Sequence, residues 1–274
     1  MRPISSLTTA VIIVAWQDIP GIDECLGSLV NQTNQAFRVV VADNGAGLEK
    51  RVAPWAERLD LQLLDLGENR GVSEARNRAA NLTEAELLLF LDDDAAADSA
   101  WVETFQQLMA AQPELAAARG RVRGKSPTIL NRLARAYDLG ETQVPAIINT
   151  EGNCAVRRSD FDAVGGFDSS MFGHEGAELT ARLIEHRSGR ETAVVYEPKA
   201  LIHHDYVDTV GQYLTKRYRH GKMASHLSLA TVRSSAARSR RSMPWDVERF
   251  ALAPLRGLGL AAEGVGALRG HLLG

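Results

Sequence analysis

Three consecutive acidic residues, Asp92, Asp93 and Asp94, directly follow the apolar run 87–91. A short apolar run that changes abruptly to acid is typical of a strand buried on both faces, so we expect the carboxylates at its C-terminal end. Since side chains alternate along an extended segment, Asp92 and Asp94 can point to the same side and Asp93 away from it. Two carboxylates on one side suit a hard divalent cation that keeps open positions for phosphate oxygens. A solvated acidic turn that caps a helix is the alternative interpretation.

A fourth acid, Asp43, follows the segment 37–42, which is apolar except for Arg38 and predicts a second buried strand. We expect it beside the end of the first strand of the chain, where it either contacts a ligand or only shapes the turn. In open α/β sheets, ligands bind beyond the carboxyl ends of the strands. Asp43 and the three consecutive acids therefore indicate a candidate ligand-binding edge of a sheet.

Two arginines lie in the segment 68–77, Glu-Asn-Arg-Gly-Val-Ser-Glu-Ala-Arg-Asn. The segment predicts a loop that enters a helix, whose first turn could direct backbone N–H groups, Arg70 and Arg76 at an anion. The same arginines could equally be surface residues paired with Glu68 and Glu74. The glycine fingerprints of dinucleotide folds and of the P-loop are missing from the sequence, which leaves little support for a dehydrogenase or a nucleotidyltransferase.

The elements that must position these residues alternate between strand and helix. Runs of β-branched and apolar residues predict strands, and apolar residues at helical spacing predict helices between them. The expected strands are 9–15, 37–42, 61–66, 86–91 and one near 115–122; the expected helices are 22–32, one that contains 52–59 and one near 99–111. This order favours a parallel sheet with helices on both faces.

Length and composition fit a globular α/β protein. The chain has 274 residues, of which 45% are apolar and 24% charged, and its net charge of −3 gives no reason to expect nucleic-acid binding. Cys25 and Cys154 provide neither a disulfide framework nor a zinc-site spacing, which fits a reducing cytoplasm. Residues 1–8 do not match a signal peptide, and no apolar run approaches the roughly 20 residues that span a bilayer.

Four motifs follow one another in the chain: Val-Ile-Ile-Val at 11–14, Asp-Asn-Gly at 43–45, the segment 68–77, and Phe-Leu-Asp-Asp-Asp at 90–94. Their order and spacing resemble the nucleotide-binding half of the family 2 glycosyltransferases, which are inverting enzymes with the GT-A fold. Two further motifs are similar to the acceptor-side segment of that family. These are Glu-Gly-Asn-Cys-Ala-Val-Arg-Arg at 151–158 and Val-Gly-Gly-Phe-Asp at 164–168. The resemblance covers roughly residues 9–220.

The resemblance implies an α/β fold of the GT-A type, which is a Rossmann-like, mostly parallel sheet flanked by helices, with a helical C-terminal extension. It implies a glycosyltransferase domain over residues 1–222 and the extension at 223–274. Within the domain, the nucleotide-binding half would cover about 9–125 and the acceptor half about 126–222. The implied reaction is the inverting transfer of a sugar from a nucleoside diphosphate sugar, with UDP as the expected nucleotide, to a hydroxyl acceptor. That acceptor would be a glycan, a lipid-linked molecule or a small molecule.

Carried over by position, the resemblance also implies the residues of the site. Those expected at the nucleotide and its sugar are Ala15, Gln17, Asp43, Asn69, Arg70, Gly71, Arg76, Asp92 and Asp93. Asp92 and Asp94 match the Asp-x-Asp motif that holds Mg²⁺ or Mn²⁺ against the diphosphate, where the metal acts as a Lewis acid. The remaining metal ligand would be His203 or His204; alternatively, this pair is a core residue and an exposed neighbour.

The segment 172–183 departs from the family pattern at the catalytic base. The residue where the family has the acid that takes the acceptor's proton is Gly176, and glycine cannot accept a proton. Glu175 is the nearest substitute, Glu178 lies on a similar face of a helix, and His174 is a further candidate. The two glutamates could instead stabilise a helix N-terminus. A catalytically impaired protein that binds nucleotide sugars is therefore the alternative function.

Basic residues are concentrated after residue 210, with no acid between Asp208 and Asp246. They are Lys216, Arg217, Arg219, Lys222, Arg233, Arg238, Arg240 and Arg241, and the leucines Leu252, Leu255, Leu258 and Leu260 follow them. Such a segment can lie on anionic lipid, which would give a cytoplasmic protein a peripheral contact with the inner face of the membrane. A solvated face with a packed terminal helix pair and a homodimer contact are the alternatives.

Overall fold

The computed structural model describes residues 7–17, 20–128, 130–131, 137–207, 209–224, 257–265 and 267. Its strands are β1 (Thr9–Ala15), β2 (Arg38–Asp43), β3 (Leu61–Asp65), β4 (Leu87–Asp92), β5 (Ala96–Ala97), β6 (Ala117–Arg123), β7 (Val144–Pro145), β8 (Asn153–Arg157) and β9 (Val194–His203). Its helices are α1 (Gly21–Val30), α2 (Glu49–Ala56), α3 (Val72–Ala80), α4 (Trp101–Ala111), α5 (Arg158–Ala163), α6 (Glu175–His186) and α7 (Val210–Ala224), and residues 257–265 are also helical. The strands and helices expected before residue 124 are all present, and their ends differ from the expected ones by no more than three residues.

Within the described residues, the nine strands form one sheet in the order β3-β2-β1-β4-β8-β6-β9-β5, with β7 paired to β9. The first four strands pair in parallel, as the alternation of strands and helices predicts. β8 is antiparallel to both β4 and β6, so the sheet is mixed. The later strands thus return to the middle of the sheet and lie beside the strand that carries the acids.

Helices cover both faces of the sheet. Alternate residues of β4 enter two separate apolar clusters: Leu87, Leu89 and Leu91 lie in one with residues of α1 and α4, and Leu88 and Phe90 lie in the other with residues of α3, α5 and α6. A strand that is buried on both faces needs an apolar residue at every position. This explains why the apolar run is uninterrupted up to the first aspartate.

Residues 257–265 pack against α7. Arg217 pairs with Glu263, and a β-carbon on Gly221 would lie 1.9 Å from the carbonyl oxygen of Glu263. A helical C-terminal segment is therefore present, and the expected boundary between residues 222 and 223 falls within α7. The positions Arg233, Arg238, Arg240, Arg241, Leu252 and Leu255 lie outside the described residues. No helix in the described ranges combines the length and the apolar content that crossing a bilayer requires.

Candidate active site

The carboxyl ends of β1, β2 and β4 lie side by side. In the parallel register Ala15 is level with Asp43, and Val14 is level with Asp92. The backbone N–H of Asn44 donates to the carbonyl of Ala15 at 2.7 Å. Polar residues from distant parts of the sequence therefore meet at one edge of the sheet, as predicted.

Asp43 holds the loop that follows β2. One carboxylate oxygen accepts hydrogen bonds from the backbone N–H groups of Ala46 and Gly47 at 2.6 and 3.1 Å, and the other accepts one from Leu48 at 2.6 Å. The residue is only 3% exposed. Asp43 therefore shapes the turn, and its contact with a nucleotide stays a prediction.

Asn44 joins this loop to the segment 68–71. Its amide donates to Asn69 Oδ1 at 3.1 Å, and its own Oδ1 accepts from the backbone N–H of Arg70 at 2.9 Å. Asn69 Oδ1 also accepts from the N–H of Gly71 at 2.9 Å, and Gly71 has a φ of +84°, which favours glycine. One buried asparagine thus positions three of the expected nucleotide contacts.

Two other expected nucleotide contacts differ in their exposure. Gln17 is exposed, whereas Ala15 is fully buried and its carbonyl oxygen accepts the hydrogen bond from Asn44. Arg70 is partly exposed and pairs with Glu68 at 3.0 Å, as the surface interpretation of this arginine predicts.

Arg76 is directed into the site. It is 7% exposed, its guanidinium donates to Asp92 Oδ1 at 3.2 Å, and it lies 5.5 Å from the ring centroid of Phe167. The alternative that Arg76 is a surface partner of Glu74 is wrong, because Glu74 pairs with Arg78 at 2.7 Å. The buried arginine instead neutralises the first acid of the Asp-x-Asp motif.

Gly152 leaves the space that the Asp92 carboxylate fills. A β-carbon on Gly152 would lie 1.8 to 2.1 Å from the carboxyl carbon and oxygens of Asp92. The backbone N–H of Asp92 donates to the carbonyl of Gly152 at 3.3 Å. Since only glycine permits so close an approach, the glycine of the Glu-Gly-Asn-Cys motif has a steric role beside the acidic strand.

The strand β4 ends at Asp92, and Asp93 and Asp94 form a turn. The alternation expected for the three acids therefore stops after the first of them. Burial, together with the charges of Asp94 and Asp92, raises the pKa of Asp93 to about 7. Asp94 Oδ1 lies 2.9 Å from Nε2 of His204.

Asp94 and His204 form a hydrogen-bonded pair that shifts the pKa of both side chains. Burial alone would lower the pKa of His204, but the hydrogen bond with Asp94 and the charges of Asp92 and Asp94 outweigh burial and raise it. Burial alone would raise the pKa of Asp94, but the hydrogen bond and charge of His204 and the charge of Lys125 lower it overall. His203 lies one residue earlier, within β9. Both histidines are half-buried, so the interpretation as one core residue and one exposed neighbour is wrong.

The two glutamates expected as bases lie in the first turn of α6. Glu178 forms a two-point ion pair with Arg182, with Oε1 at 2.6 Å from Nε and Oε2 at 2.5 Å from Nη2. Glu175 is 8% exposed and accepts a hydrogen bond from the backbone N–H of Gly173 at 2.8 Å. His174 precedes the helix with a φ of +65°. Because both oxygens of Glu178 are engaged, the helix-stabilising alternative describes this residue well.

A third glutamate, Glu151, lies beside them and was not a sequence-based candidate. Its Oε1 accepts a hydrogen bond from the backbone N–H of Gly176 at 2.7 Å. Burial and the charge of Glu175 raise the pKa of Glu151. The available signal was its place in the Glu-Gly-Asn-Cys motif, directly before the glycine that accommodates Asp92.

This geometry has counterparts among known proteins. The family model described as Glycosyl transferase family 2 matches residues 10–169, which is more than half of the chain. The chain belongs to glycosyl transferase family 2. Pre-mycofactocin glycosyltransferase from Mycobacterium tuberculosis is 25% identical to this family 2 chain over 231 residues, which cover 80% of the chain and 47% of that protein. The chain thus spans about half the length of this relative.

Solved structures of glycosyltransferases have the same fold as this family 2 chain. Mannosyltransferase PcManGT from Pyrobaculum calidifontis, in complex with GDP-Man and Mn²⁺, superposes with a TM-score of 0.62 at 20% identity, covering 98% of this chain and 78% of that chain. Residues 1–349 of TarS from S. aureus, in complex with UDP, superpose with a TM-score of 0.58 at 15% identity, covering 93% and 75%. The mostly parallel sheet flanked by helices is therefore the GT-A fold, as expected.

The acidic turn of this family 2 chain offers donors of the kind that Mg²⁺ and Mn²⁺ take. They are carboxylate oxygens of Asp92 and Asp94 and an imidazole nitrogen of His204. In the described ranges, no three side chains of His, Cys, Asp or Glu together form a group that could hold a metal ion. Asp92 pairs with Arg76, while Asp94 and His204 pair with each other. The chemistry of the donor set fits the expected cation, and these pairings would be exchanged when it binds.

Proposed function

We propose that this chain is an inverting glycosyltransferase that moves a sugar from a nucleoside diphosphate sugar, with UDP as the nucleotide, to a hydroxyl acceptor. The acidic turn is the main support, because Asp94 and His204 pair there beside Arg76 and Asp92 at the carboxyl end of β4. Carboxylates and an arginine at such a strand end suit a cation and a diphosphate. Family 2 membership supports sugar transfer, and the UDP complex of TarS supports the nucleotide.

Asp92, Asp94 and His204 are proposed to hold Mg²⁺ or Mn²⁺, and the Mn²⁺ in the PcManGT complex supports this cofactor. When bound, the cation supplies Lewis-acid stabilisation of the charge that develops on the leaving nucleoside diphosphate. His204 must lose its proton to act as a ligand. Arg76 exchanges Asp92 for a phosphate oxygen, which replaces one charge-assisted hydrogen bond by another. The residues proposed to border the nucleotide and sugar remain Ala15, Gln17, Asp43, Asn69, Arg70, Gly71, Arg76, Asp92 and Asp93.

The acceptor is proposed to approach from the side of α6, in the half of the domain that covers about 126–222. An inverting transfer needs a group that takes the acceptor's proton on the face opposite the leaving group. Because Arg182 binds Glu178 through both oxygens, Glu175 is the better of the two sequence-predicted bases. A cytoplasmic location, with peripheral membrane contact or a homodimer through the C-terminal extension, completes the proposal.

A thermal-shift screen tests donor binding, since a ligand that binds only the native state raises Tm. We expect UDP and UDP-sugars to raise Tm more than GDP or ADP does, and more in Mn²⁺ than in EDTA. If no nucleotide raises Tm in the presence of Mg²⁺ or Mn²⁺, the proposal is wrong. Transfer is then tested by NMR of the product, whose anomeric configuration should be opposite to that of the donor.

Gly176 favours a second candidate function, a protein that binds nucleotide sugars without transferring them. That protein would show the same Mn²⁺-dependent rise of Tm with UDP-sugars. It would release no UDP from them, with water or with a panel of sugars, alcohols and polyprenyl phosphates. Measurement of UDP release therefore separates the two functions.

A further inference from the structure

A side chain at residue 176 would overlap the space that the carboxylate of Glu151 occupies. A β-carbon on Gly176 would lie 2.8 Å from Glu151 Oε1 and 2.6 Å from the carbonyl oxygen of Ile148. The backbone N–H of Gly176 donates to the same Oε1 at 2.7 Å. A side chain at residue 176 is therefore excluded, and the carboxylate of Glu151 lies where that side chain would begin.

Glu151 also lies near Asp92, the first residue of the acidic turn. The next residue, Gly152, lies against the Asp92 carboxylate and accepts a hydrogen bond from the Asp92 backbone. The charge of Arg76, which binds Asp92, acts on Glu151 as well. Glu151 thus lies between the acidic turn and the N-terminus of α6.

Two polar atoms next to Glu151 lack partners. Among the described residues, nothing forms a hydrogen bond with the buried Asn149 Oδ1 or with the buried Thr150 Oγ1. Buried polar atoms in proteins almost always have a partner. Orphaned oxygens in two consecutive residues before a carboxylate suit the hydroxyl groups of a bound ligand, which can donate to both.

We propose that Glu151 is the catalytic base that takes the proton of the acceptor hydroxyl, in place of the missing acid at residue 176. This role rests on the proposed sugar transfer. As the acceptor oxygen bonds to the anomeric carbon, the bond from that carbon to the diphosphate oxygen breaks. Its electron pair leaves with the nucleoside diphosphate, and the hydroxyl proton passes to the Glu151 carboxylate.

Glu151 suits this role better than the glutamates of α6. Glu175 is 8% exposed, and Glu178 is engaged by Arg182, whereas Glu151 is half-buried. The Glu151 carboxylate accepts a hydrogen bond from the backbone N–H of Gly176, and lone pairs remain for an acceptor hydroxyl. Burial and the nearby charge of Glu175 also raise its pKa, which makes the ionised carboxylate a stronger base.

The substitution Glu151→Gln tests the inference, because the amide keeps an oxygen for the N–H of Gly176 but cannot take a proton. UDP release from UDP-glucose and UDP-N-acetylglucosamine is measured in Mn²⁺, with water and with hydroxyl acceptors. We expect turnover to fall by at least about 10². The Kd for UDP and the Tm should stay at the wild-type values. Glu185→Gln, at an exposed acid near the end of α6, is the control and should keep wild-type turnover.

Added formate should restore part of the turnover of Glu151→Ala, since a small carboxylate can replace a missing base but not a missing structural contact. Near-normal turnover of Glu151→Gln would overturn the inference, and a loss of about 10² in Glu175→Gln would then make Glu175 the base. If UDP affinity falls by the same factor as turnover, or if Tm falls, Glu151 stabilises the structure near β8 and is not the base. A wild-type chain that binds no nucleotide, or binds UDP-sugars and releases no UDP, would instead overturn the proposed function itself.

Discussion

Substitution of Asp94 tests cation binding most directly, because Asp94 and its partner His204 both belong to the proposed ligand set. Asp94→Asn is expected to abolish the Mn²⁺-dependent part of stabilisation by UDP. A ligand at about 100 times its Kd stabilises the native state by about 2.7 kcal/mol. The fold should persist, because the turn lies beyond the buried strand. Thermal shifts in Mn²⁺ and in EDTA measure the effect.

Asp60→Ala is the control for this substitution, since it removes an acid from an exposed pair with Arg38 at 3.5 Å. It should leave the UDP shift unchanged. If folded Asp94→Asn keeps the full Mn²⁺ dependence, Asp94 is not a ligand.

Gly152 offers a steric test of the same site. In Gly152→Ala the new β-carbon would overlap the Asp92 carboxylate, so Asp92 must move and its contact with Arg76 is lost. Overpacking of this kind costs about 1–3 kcal/mol, and UDP affinity should fall with it. Urea unfolding and calorimetric titration with UDP measure the two effects. Gly211→Ala is the control, because its β-carbon has no neighbour nearer than 3.8 Å; equal UDP affinity of both variants would contradict the steric role.

The residues that sequence could predict are those whose type and local context suffice. The three acids had to follow the buried strand, and Asp43 had to lie level with the end of β1, because strand register brings carboxyl ends together. Asn44 and Glu151 could not be predicted in this way. Their arrangement depends on the side chain of Asn69 and on the absence of a side chain at Gly176, which only the folded chain brings near.

Among the elements, α3 is hydrogen-bonded to the backbone of the acceptor-side segment through the side chain of Asn77. The amide of Asn77 donates to the carbonyl of Phe167 at 2.8 Å, and its Oδ1 accepts from the Phe167 N–H at 2.9 Å. Asn77→Ala leaves both backbone groups without this partner and should lower the free energy of unfolding by about 1–3 kcal/mol. Urea unfolding measures the loss. Asn81→Ala, at an exposed residue at the end of the same helix, should change it far less; an equal loss in both variants would contradict a special role for the Phe167 hydrogen bonds.

The first four strands could be predicted because each is a compact apolar run followed or preceded by a helix. The pairing of β8 with β4 could not, since it joins Leu91 to Asn153 across a long stretch of sequence and gives no local pattern. β9 begins at Val194 and extends as far as His203. That extension is what carries His204 to the acidic turn.

For the whole molecule, the packing of the C-terminal extension and its proposed contact with lipid can be tested separately. Residues 257–265 pack on α7, so removal of 233–274 would disturb both packing and charge. Replacing Arg238, Arg240 and Arg241 by glutamine removes three positive charges and leaves the length of the chain unchanged. If the basic segment lies on lipid, each replacement should weaken binding to vesicles that contain phosphatidylserine by about 1 kcal/mol, with Tm unchanged. Co-sedimentation measures the binding.

The control for the vesicle experiment replaces three basic residues elsewhere on the surface, Arg38, Lys50 and Arg58, by glutamine. These changes lower the net charge equally and should affect sedimentation less. A wild-type chain that never sediments with anionic vesicles would reject the membrane contact and leave the packing role of the extension.

The antiparallel pairing of β4 with β8 also limits how this protein can open. The Asp92 backbone is hydrogen-bonded to Gly152, which directly precedes β8, and neighbouring strands lie roughly 4.7–4.9 Å apart in any sheet. The distance from Asp92 to Glu151 is thus set by the pairing of β4 with β8 and not by a hinge between two lobes. A hinge motion could increase this distance only by breaking the backbone hydrogen bonds between β4 and β8. If the proposed sugar transfer is correct, acceptors of different size would have to be accommodated by the loops after the strands, where acceptor preference could be changed without altering the sheet.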